Sequence, residues 1–376
     1  MSLIQKPSVI KNIAVVGAGI AGSLTAYQLI RLGHSVTIYE PDQCKRSCSY
    51  TAAGMLAPMA ELESADNGVY ALGQTSLDLW PEILQQLDHD FGLKVFFSNE
   101  GTLVVNHAQD EGCYEQFSSS LHRKLGDVFQ SLCETVSVEA LEPELTSFDK
   151  GLFLKNEAQL DSHQLLSALH TVIHEHGTWM TQKVSVIEPK ILTLENGCSH
   201  PYDWVFDCRG VAANNDISGL HGVRGERILV HAPHVNIHRM VRLMHPRYRL
   251  YIAPRENNYY IIGATEVESA DDGPISVRSA LELLSAAFSL HSGFAEARII
   301  DMRTGLRPAR FDHQPYLKTR IGLTVINGLY RHGYLIGPAL IEKALGEFHD
   351  SIRKNGATAG QENKKILNSV EVEHEY

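Results

Sequence analysis

Apolar and polar positions along the chain follow two rhythms. Residues 12–16 (Asn-Ile-Ala-Val-Val) form a short run rich in β-branched side chains, the pattern of a buried strand. Leu24, Tyr27, Gln28 and Leu29 then recur at helical spacing as far as Arg31, Gly33 ends that segment, and residues 35–39 read as a second strand. A further amphipathic helix is predicted over 161–176, with Leu165, Leu166, Leu169, Val172 and Ile173 on one face and Asp161 placed to cap it. Strands follow at about 182–187, 191–195 and 203–207, the last leading into Asp207-Cys-Arg-Gly210. Four strand-like runs at 227–230, 240–243, 250–253 and 259–262 alternate with Pro, Asn and His, which predicts an antiparallel sheet inserted between pieces of the first domain. A helix at about 276–290, a strand at 323–326 and a helix starting near Pro338 complete the pattern, the last burying Leu340, Ala344, Leu345 and Phe348. No repeat is visible, and the polar stretch from about 352 to 376 reads as an exposed tail.

Glycine spacing gives the first βαβ unit a chemistry. Gly17-Ala-Gly19-Ile-Ala-Gly22 joins the first strand to the first helix, and Glu40 follows the second strand, 18 residues past Gly22. Gly17 suits the tight turn, Gly19 lets backbone approach a pyrophosphate, and Gly22 lets helix and strand pack closely. The helix N-terminus then offers amides to phosphate, and Glu40 offers a carboxylate to a ribose. Strand, turn, helix, second strand and acid are all in register, which separates this fingerprint from a glycine-rich turn. The pattern does not choose between NAD and FAD.

Composition narrows the field. The 376 residues are 44% hydrophobic and 20% charged, ordinary for a folded chain. At roughly 150 residues per domain, that length suggests two or three units or one interleaved unit. The formal charge of −11 disfavours nucleic acid and anionic membranes. No run approaches the ~20 apolar residues of a membrane-spanning helix, and the first residues lack a leader pattern, so cytoplasmic residence is expected. Six cysteines in a chain this long fit reduced, mostly buried thiols, and Cys44 with Cys48 lacks a second pair to make a zinc site. His174-Glu-His176 has the wrong spacing for two ligands on one helix face, so no metal is expected. Arg239, Arg242, His245, Arg247, Arg249 and Arg255 form a basic cluster, expected to point outward from strands and turns, with an electrostatic approach for anionic substrates as the lesser reading.

Six motifs in order extend the fingerprint. They are Gly17–Gly22 with Glu40, residues 50–56 (Tyr-Thr-Ala-Ala-Gly-Met-Leu), 141–144 (Leu-Glu-Pro-Glu), 251–255 (Tyr-Ile-Ala-Pro-Arg) with 262–265 (Ile-Gly-Ala-Thr), 305–308 (Gly-Leu-Arg-Pro) and 328–333 (Gly-Leu-Tyr-Arg-His-Gly). With them, nearly the whole chain resembles the D-amino-acid oxidase and glycine oxidase family of FAD proteins, nearest to its glycine oxidase branch of thiamine biosynthesis. The resemblance implies an α/β fold: a GxGxxG-led, Rossmann-like FAD domain interleaved with a mixed or antiparallel-sheet substrate domain. Residues 10–90, 140–222 and 300–352 are expected in the FAD domain, 91–139 and 223–299 in the substrate domain, and 353–376 in the tail.

The resemblance also implies roles for individual residues. Gly17, Gly19, Ile20, Ala21, Gly22, Glu40 and Pro41 would meet the ADP half of FAD, and Val184 the adenine side or simply the core. Cys48, Ser49, Ala52, Ala53, Gly54 and Met55 would line the stretch from pyrophosphate to flavin. Leu329, Tyr330, Arg331, His332, Gly333, Tyr334 and Leu335 would run along the flavin's pyrimidine edge, where loop amides entering a helix can stabilise negative charge. The family often has His in place of Leu329 and Asn in place of His332. Covalently flavinylated relatives carry a His at the Thr51 position or a Cys near the last motif; neither is present, so non-covalent FAD is expected.

The implied reaction is oxidative deamination of glycine or another small amino acid or secondary amine, by hydride transfer from Cα to flavin N5. It would yield an imino acid and, with O2 as acceptor, H2O2, and it would feed thiamine thiazole synthesis. Arg307 matches the carboxylate-binding arginine, whose planar fork fits two oxygens. Tyr251 matches a pocket-wall tyrosine, with plain sheet packing as the other reading, and Arg331 matches a position near the substrate entrance. Arg307 and Arg331 together would make the site locally cationic. A D-amino-acid or secondary-amine dehydrogenase passing electrons to a quinone or carrier, the flavin module of a tRNA-modifying enzyme, and a non-catalytic flavin protein are the alternatives. A homo-oligomer fits the family.

Overall fold

The computed structural model describes residues 9–42, 47–246 and 250–371, with side chains as far as Lys354. Cys44, Arg247, Arg249 and the exposure expected for the tail from 355 onward lie outside the described residues.

Two large sheets frame the molecule. In the first, strand Asn12–Val16 pairs in parallel with Ser35–Tyr39 on one side and Trp204–Asp207 on the other. Thr178–Met180 extends one edge, and the hairpin Tyr316–Arg320/Leu323–Asn327 the other, giving six strands. Period-two geometry explains why Ile13–Val16 is apolar throughout. Ile13 and Val15 enter a core shared with helices Ile20–Arg31, Ser162–His176, Asn67–Phe91 and Gly333–Glu371, whereas Ala14 and Val16 face a small three-stranded sheet through Val184, Leu192 and Leu194. Asp161 caps its helix, accepting from His163 and Gln164 amides at 2.8 and 2.9 Å.

The second sheet has eight strands, in the order 298–309, 221–231, 259–263, 250–254, 240–244, 102–106, 150–154, 133–137. All its neighbours are antiparallel except Met240–Met244 with Thr102–Asn106, so the sheet is mixed. Helix Val277–Leu290 covers one face through Leu283, Ala286, Ala287 and Leu290. Phe117 and Leu121 of helix Glu111–Leu125 cover the other. Strands 150–154 and 298–309 lie in this sheet, on either side of the chain segments that return to the first.

Two expectations change. The last helix begins at Gly333, five residues before Pro338. Pro338 has no N–H for the Tyr334 carbonyl, but the buried Trp80 indole donates to that oxygen at 2.9 Å, so the helix runs through the proline. Three described members of the basic cluster do not point outward. Arg242 and Arg255 are buried, Arg242 bonding the Ala60 carbonyl and pairing with Glu63 at 2.6 Å, while Arg239 pairs with Glu142, which is fully buried. Glu142 also accepts from the His238 and Arg239 amides, which gives the 141–144 motif a structural task.

Among the described residues no helix is long and apolar enough to cross a membrane, and no group of three or more His, Cys, Asp and Glu could hold a metal ion. His174 stacks on Trp179 with centroids 4.6 Å apart. The five described cysteines are free; Cys133 and Cys208 are buried and Cys198 is exposed.

Candidate active site

The first strand ends in a turn that only glycine permits. Gly17 has φ of +93°, and a Cβ on Gly22 would lie 1.8 Å from the Gly17 carbonyl oxygen. The Gly17 amide donates to the Tyr39 carbonyl and the Cys208 amide to the Val16 carbonyl, fixing the turn between the two neighbouring strands. Glu40 turns back onto it, its Oε2 accepting from the Ala18 amide at 3.0 Å and its Oε1 from the Asp42 amide at 3.1 Å. Helix Ile20–Arg31 has no side-chain cap, so its N-terminal amides are available to an anion, apart from Ile20 N, which donates to Ser49 Oγ at 3.0 Å.

Residues 50–54 form the next wall, and each of their carbonyls is taken by a donor from elsewhere in the chain. His163 Nε2 is 2.6 Å from Tyr50 O, Arg227 Nε donates to Thr51 O at 3.1 Å, and Ser162 Oγ to Ala52 O at 2.6 Å. Arg255 Nη2 donates to Ala53 O, and the Leu160 amide to Gly54 O at 2.9 Å. Burial raises the Cys48 pKa, with the nearby Arg307 acting the other way, so this thiol stays protonated at neutral pH.

Arg307 lies in strand Arg298–Ala309, opposite Val223. Its guanidinium passes over the Cα of Gly225, where a Cβ would come within 2.3 Å of Cζ. Nη1 donates to the Thr265 carbonyl at 3.0 Å, and among the described residues no carboxylate lies within ion-pair distance. Thr265 is itself held: its Oγ1 donates to Glu226 Oε2 at 2.8 Å, and Glu226 in turn binds Arg224 at 2.7 Å. Tyr251 packs on Gly263, where a Cβ would sit 2.7 Å from its hydroxyl. Burial raises its pKa, so the hydroxyl is a proton donor at neutral pH.

Arg331 differs. Its Nε is 2.6 Å from Glu61 Oε2, its Nη1 2.5 Å from Glu266 Oε2, and its Nη2 bonds Ser64 Oγ. The expectation of a site cationic at both arginines is corrected: two carboxylates neutralise Arg331, and the uncompensated charge is that of Arg307. His332 is buried with Nδ1 3.5 Å from Glu61 Oε2, and burial holds its pKa at about 4, so it is neutral.

These walls enclose a cavity of about 1460 Å³. It is lined by Gly17, Gly19, Ile20, Ala21, Glu40, Pro41 and Val184 at one end and by Cys48, Ser49 and Ala52–Met55 along its side. Leu329–Leu335, Tyr251 and Arg307 line the rest. Gly22 alone of the residues named from sequence does not line it, and acts by packing. A model of the DAO family, described as FAD dependent oxidoreductase, matches residues 12–343. The chain belongs to that family. Its cofactor is FAD, and the residues present fit it: Gly19 lines the cavity, where a Cβ would crowd Ser49 Oγ at 3.1 Å, and the helix amides beside it have no side-chain cap.

Relatives of this FAD-dependent oxidoreductase cover most of its length. A Rhizobium etli protein, named as a candidate thiamine biosynthesis oxidoreductase ThiO, is 40% identical over 88% of this chain and 94% of its own. The glycine oxidase of Geobacillus kaustophilus is 24% identical over 87% of this chain and 90% of its own. The crystal structure of that glycine oxidase superposes with a TM-score of 0.77 at 23% identity, covering 88% of this chain and 92% of the other. Iminodiacetate oxidase from Chelativorans sp. BNC1 gives 0.77 at 22% identity, covering 90% and 95%. The α/β fold expected from the resemblance is the one observed.

Several cavity residues carry no local sequence signal. Glu61, Glu226, Glu266 and Arg227 line the space. Arg227, buried, reaches Thr51 across 176 positions of chain. Cys208, Arg209 and Gly210 carry a signal in the turn after the strand at 203–207, and Thr51, Thr265, Gly305, Leu306 and Pro308 carry one in the six motifs.

Proposed function

We propose that this FAD-dependent oxidoreductase oxidises glycine or another small amino acid or secondary amine. The observation that carries the reading is Arg307, a guanidinium with no carboxylate partner among the described residues, lining the same cavity as the GxGxxG turn. Bound FAD supplies the two-electron acceptor. Arg307 grips the substrate carboxylate through its planar fork, and the Thr265 carbonyl on Nη1 fixes the plane of that fork. Tyr251, protonated, donates to the same carboxylate, and its ring excludes water. No protein base is required, because the substrate amine reacts once neutral and bulk water takes its proton. The imino acid then takes up water to give a 2-oxo acid and ammonia, while O2 accepts the two electrons and two protons as H2O2.

Roles for the other residues follow the cavity walls. Gly17–Ala21, Glu40, Pro41 and Val184 would hold the ADP half, Cys48–Met55 the middle, and Leu329–Leu335 the flavin. The flavin is held without a covalent bond: Thr51 stands where covalent relatives have His, and its Oγ1 is 3.2 Å from the Thr304 carbonyl. The name of the 40% identical relative supports assigning the imine to thiamine thiazole supply. A deletion strain that grows without thiamine or thiazole would remove that assignment.

Arg307→Ala tests the reading. Loss of a charge-assisted bidentate contact of about 3 to 5 kcal/mol predicts a fall of roughly 10² to 10⁴ in kcat/KM for glycine. FAD content should be unchanged, with the yellow colour released by acid from variant and parent alike. Normal kinetics in the variant would sink the assignment.

A further inference from the structure

Of the arginines that line the cavity, Arg307 and Arg331 stand in opposite electrostatic states. Arg307 meets only a neutral carbonyl, that of Thr265. Arg331 is ion-paired with Glu61 through Nε, bonds Glu266 through Nη1 and Ser64 through Nη2, and its Cζ lies 5.6 Å from the Tyr330 ring centroid. The lock joins three separate elements: Glu61 from helix Pro58–Leu62, Glu266 from the loop after strand Tyr259–Gly263, and Arg331 from the loop before the last helix. One guanidinium against two carboxylates leaves this flank formally negative.

We propose that the Glu61–Arg331–Glu266 lock makes the pocket selective for amino acids with a single carboxylate, and excludes those with two. The proposal rests on the amino-acid oxidase reading and names its substrate class. A monocarboxylate needs one free guanidinium, which Arg307 supplies. A second carboxylate reaching the Arg331 flank would have to displace Glu61 or Glu266 from Arg331, and would meet like charge as it did so. Rejection by unmatched charge is an ordinary source of specificity. In this arrangement Glu61 and Glu266 are specificity-determining residues, and Arg331 contributes shape and not a binding charge.

The experiment uses the FAD-loaded enzyme in two assays. The first compares kcat/KM for glycine with that for D-aspartate and iminodiacetate; the second compares displacement of a bound ligand by acetate and by malonate, followed through the flavin spectrum. The expected results are at least a 100-fold preference for glycine and no gain in affinity from acetate to malonate. Glu266→Gln, at a side chain that is 43% exposed, and the double variant Glu61→Gln/Glu266→Gln should raise the diacid-to-glycine ratio at least tenfold and tighten malonate binding. Equal use of glycine and D-aspartate by the parent enzyme would overturn the proposal. So would malonate binding tighter than acetate in the parent, or a folded Glu266→Gln enzyme whose ratio is unchanged. Failure of the broader reading looks different, because no amino acid of either charge would then be turned over and neither acid would perturb the flavin. If the double variant does not fold, the parent and the single variant still decide.

Discussion

Glu157 sits where its charge is least welcome. It is 1% exposed, its Oε1 accepts from the Ala60 amide at 2.7 Å, and burial pushes its pKa up to about 7, against the opposing pull of Thr102, that amide and Arg242. Between the ordinary carboxylate value of 4.5 and about 7 the folded protein keeps a proton that the unfolded chain has lost. The contribution to stability is therefore complete below the lower value and is lost as pH rises through the upper one. At 1.36 kcal/mol per unit the loss is roughly 3 kcal/mol. Glu157→Gln keeps an acceptor for Ala60 and cannot ionise, so its melting temperature should vary less between about pH 5 and pH 7 than the parent's. Identical pH slopes would contradict this account.

Residues of this kind show where sequence reading stops. Arg307 was legible because Gly-Leu-Arg-Pro is a contiguous motif, and the spacing of Gly17, Gly19 and Gly22 states its own geometry. The charge state of Arg331 was not legible. Its partners Glu61 and Glu266 stand 270 and 65 positions away, and no local pattern links them.

At the scale of elements, the last helix depends on another helix. Pro338 leaves the Tyr334 carbonyl without its helical donor, and Trp80 of helix Asn67–Phe91 supplies one; one turn earlier, Ser76 Oγ accepts from the Ala339 amide. Trp80→Phe removes the indole N–H and leaves a buried carbonyl unpaired, at a cost of about 1–3 kcal/mol plus the cavity it opens. Adding Pro338→Ala restores a donor and should recover part of the loss, measured by denaturant unfolding. No recovery would mean that packing alone accounts for the effect. Helix Asn67–Phe91 also explains its own invisibility to hydrophobic periodicity. Its buried face reads Val69, Gly73, Ser76, Trp80, Ile83, Leu87, so two of six inward positions carry no apolar signal. The strongly patterned elements, such as 161–176 and the four runs of the inserted sheet, emerged with ends shifted by a few residues, as fraying termini and sheet register allow.

The whole molecule is interleaved. The six-stranded sheet takes strands from 12–39, 178–207 and 316–327, and the eight-stranded sheet takes the chain between them. That layout puts the glycine turn, the 50–54 strip and Arg307 around one space although they lie nearly 300 residues apart. The −11 formal charge belongs to the chain as a whole, while the site keeps Arg307 as a cation without a carboxylate partner among the described residues. Anaerobic mixing of the FAD-loaded enzyme with glycine, sarcosine, D-alanine and D-proline tests the central claim most directly. The account predicts that at least one of these bleaches the flavin, at a rate rising with pH towards the substrate ammonium pKa, and that air restores the colour with one H2O2 per turnover. Bleaching without peroxide in air would redirect the electrons to a carrier, and a flavin that none of the four amines bleaches would contradict the account.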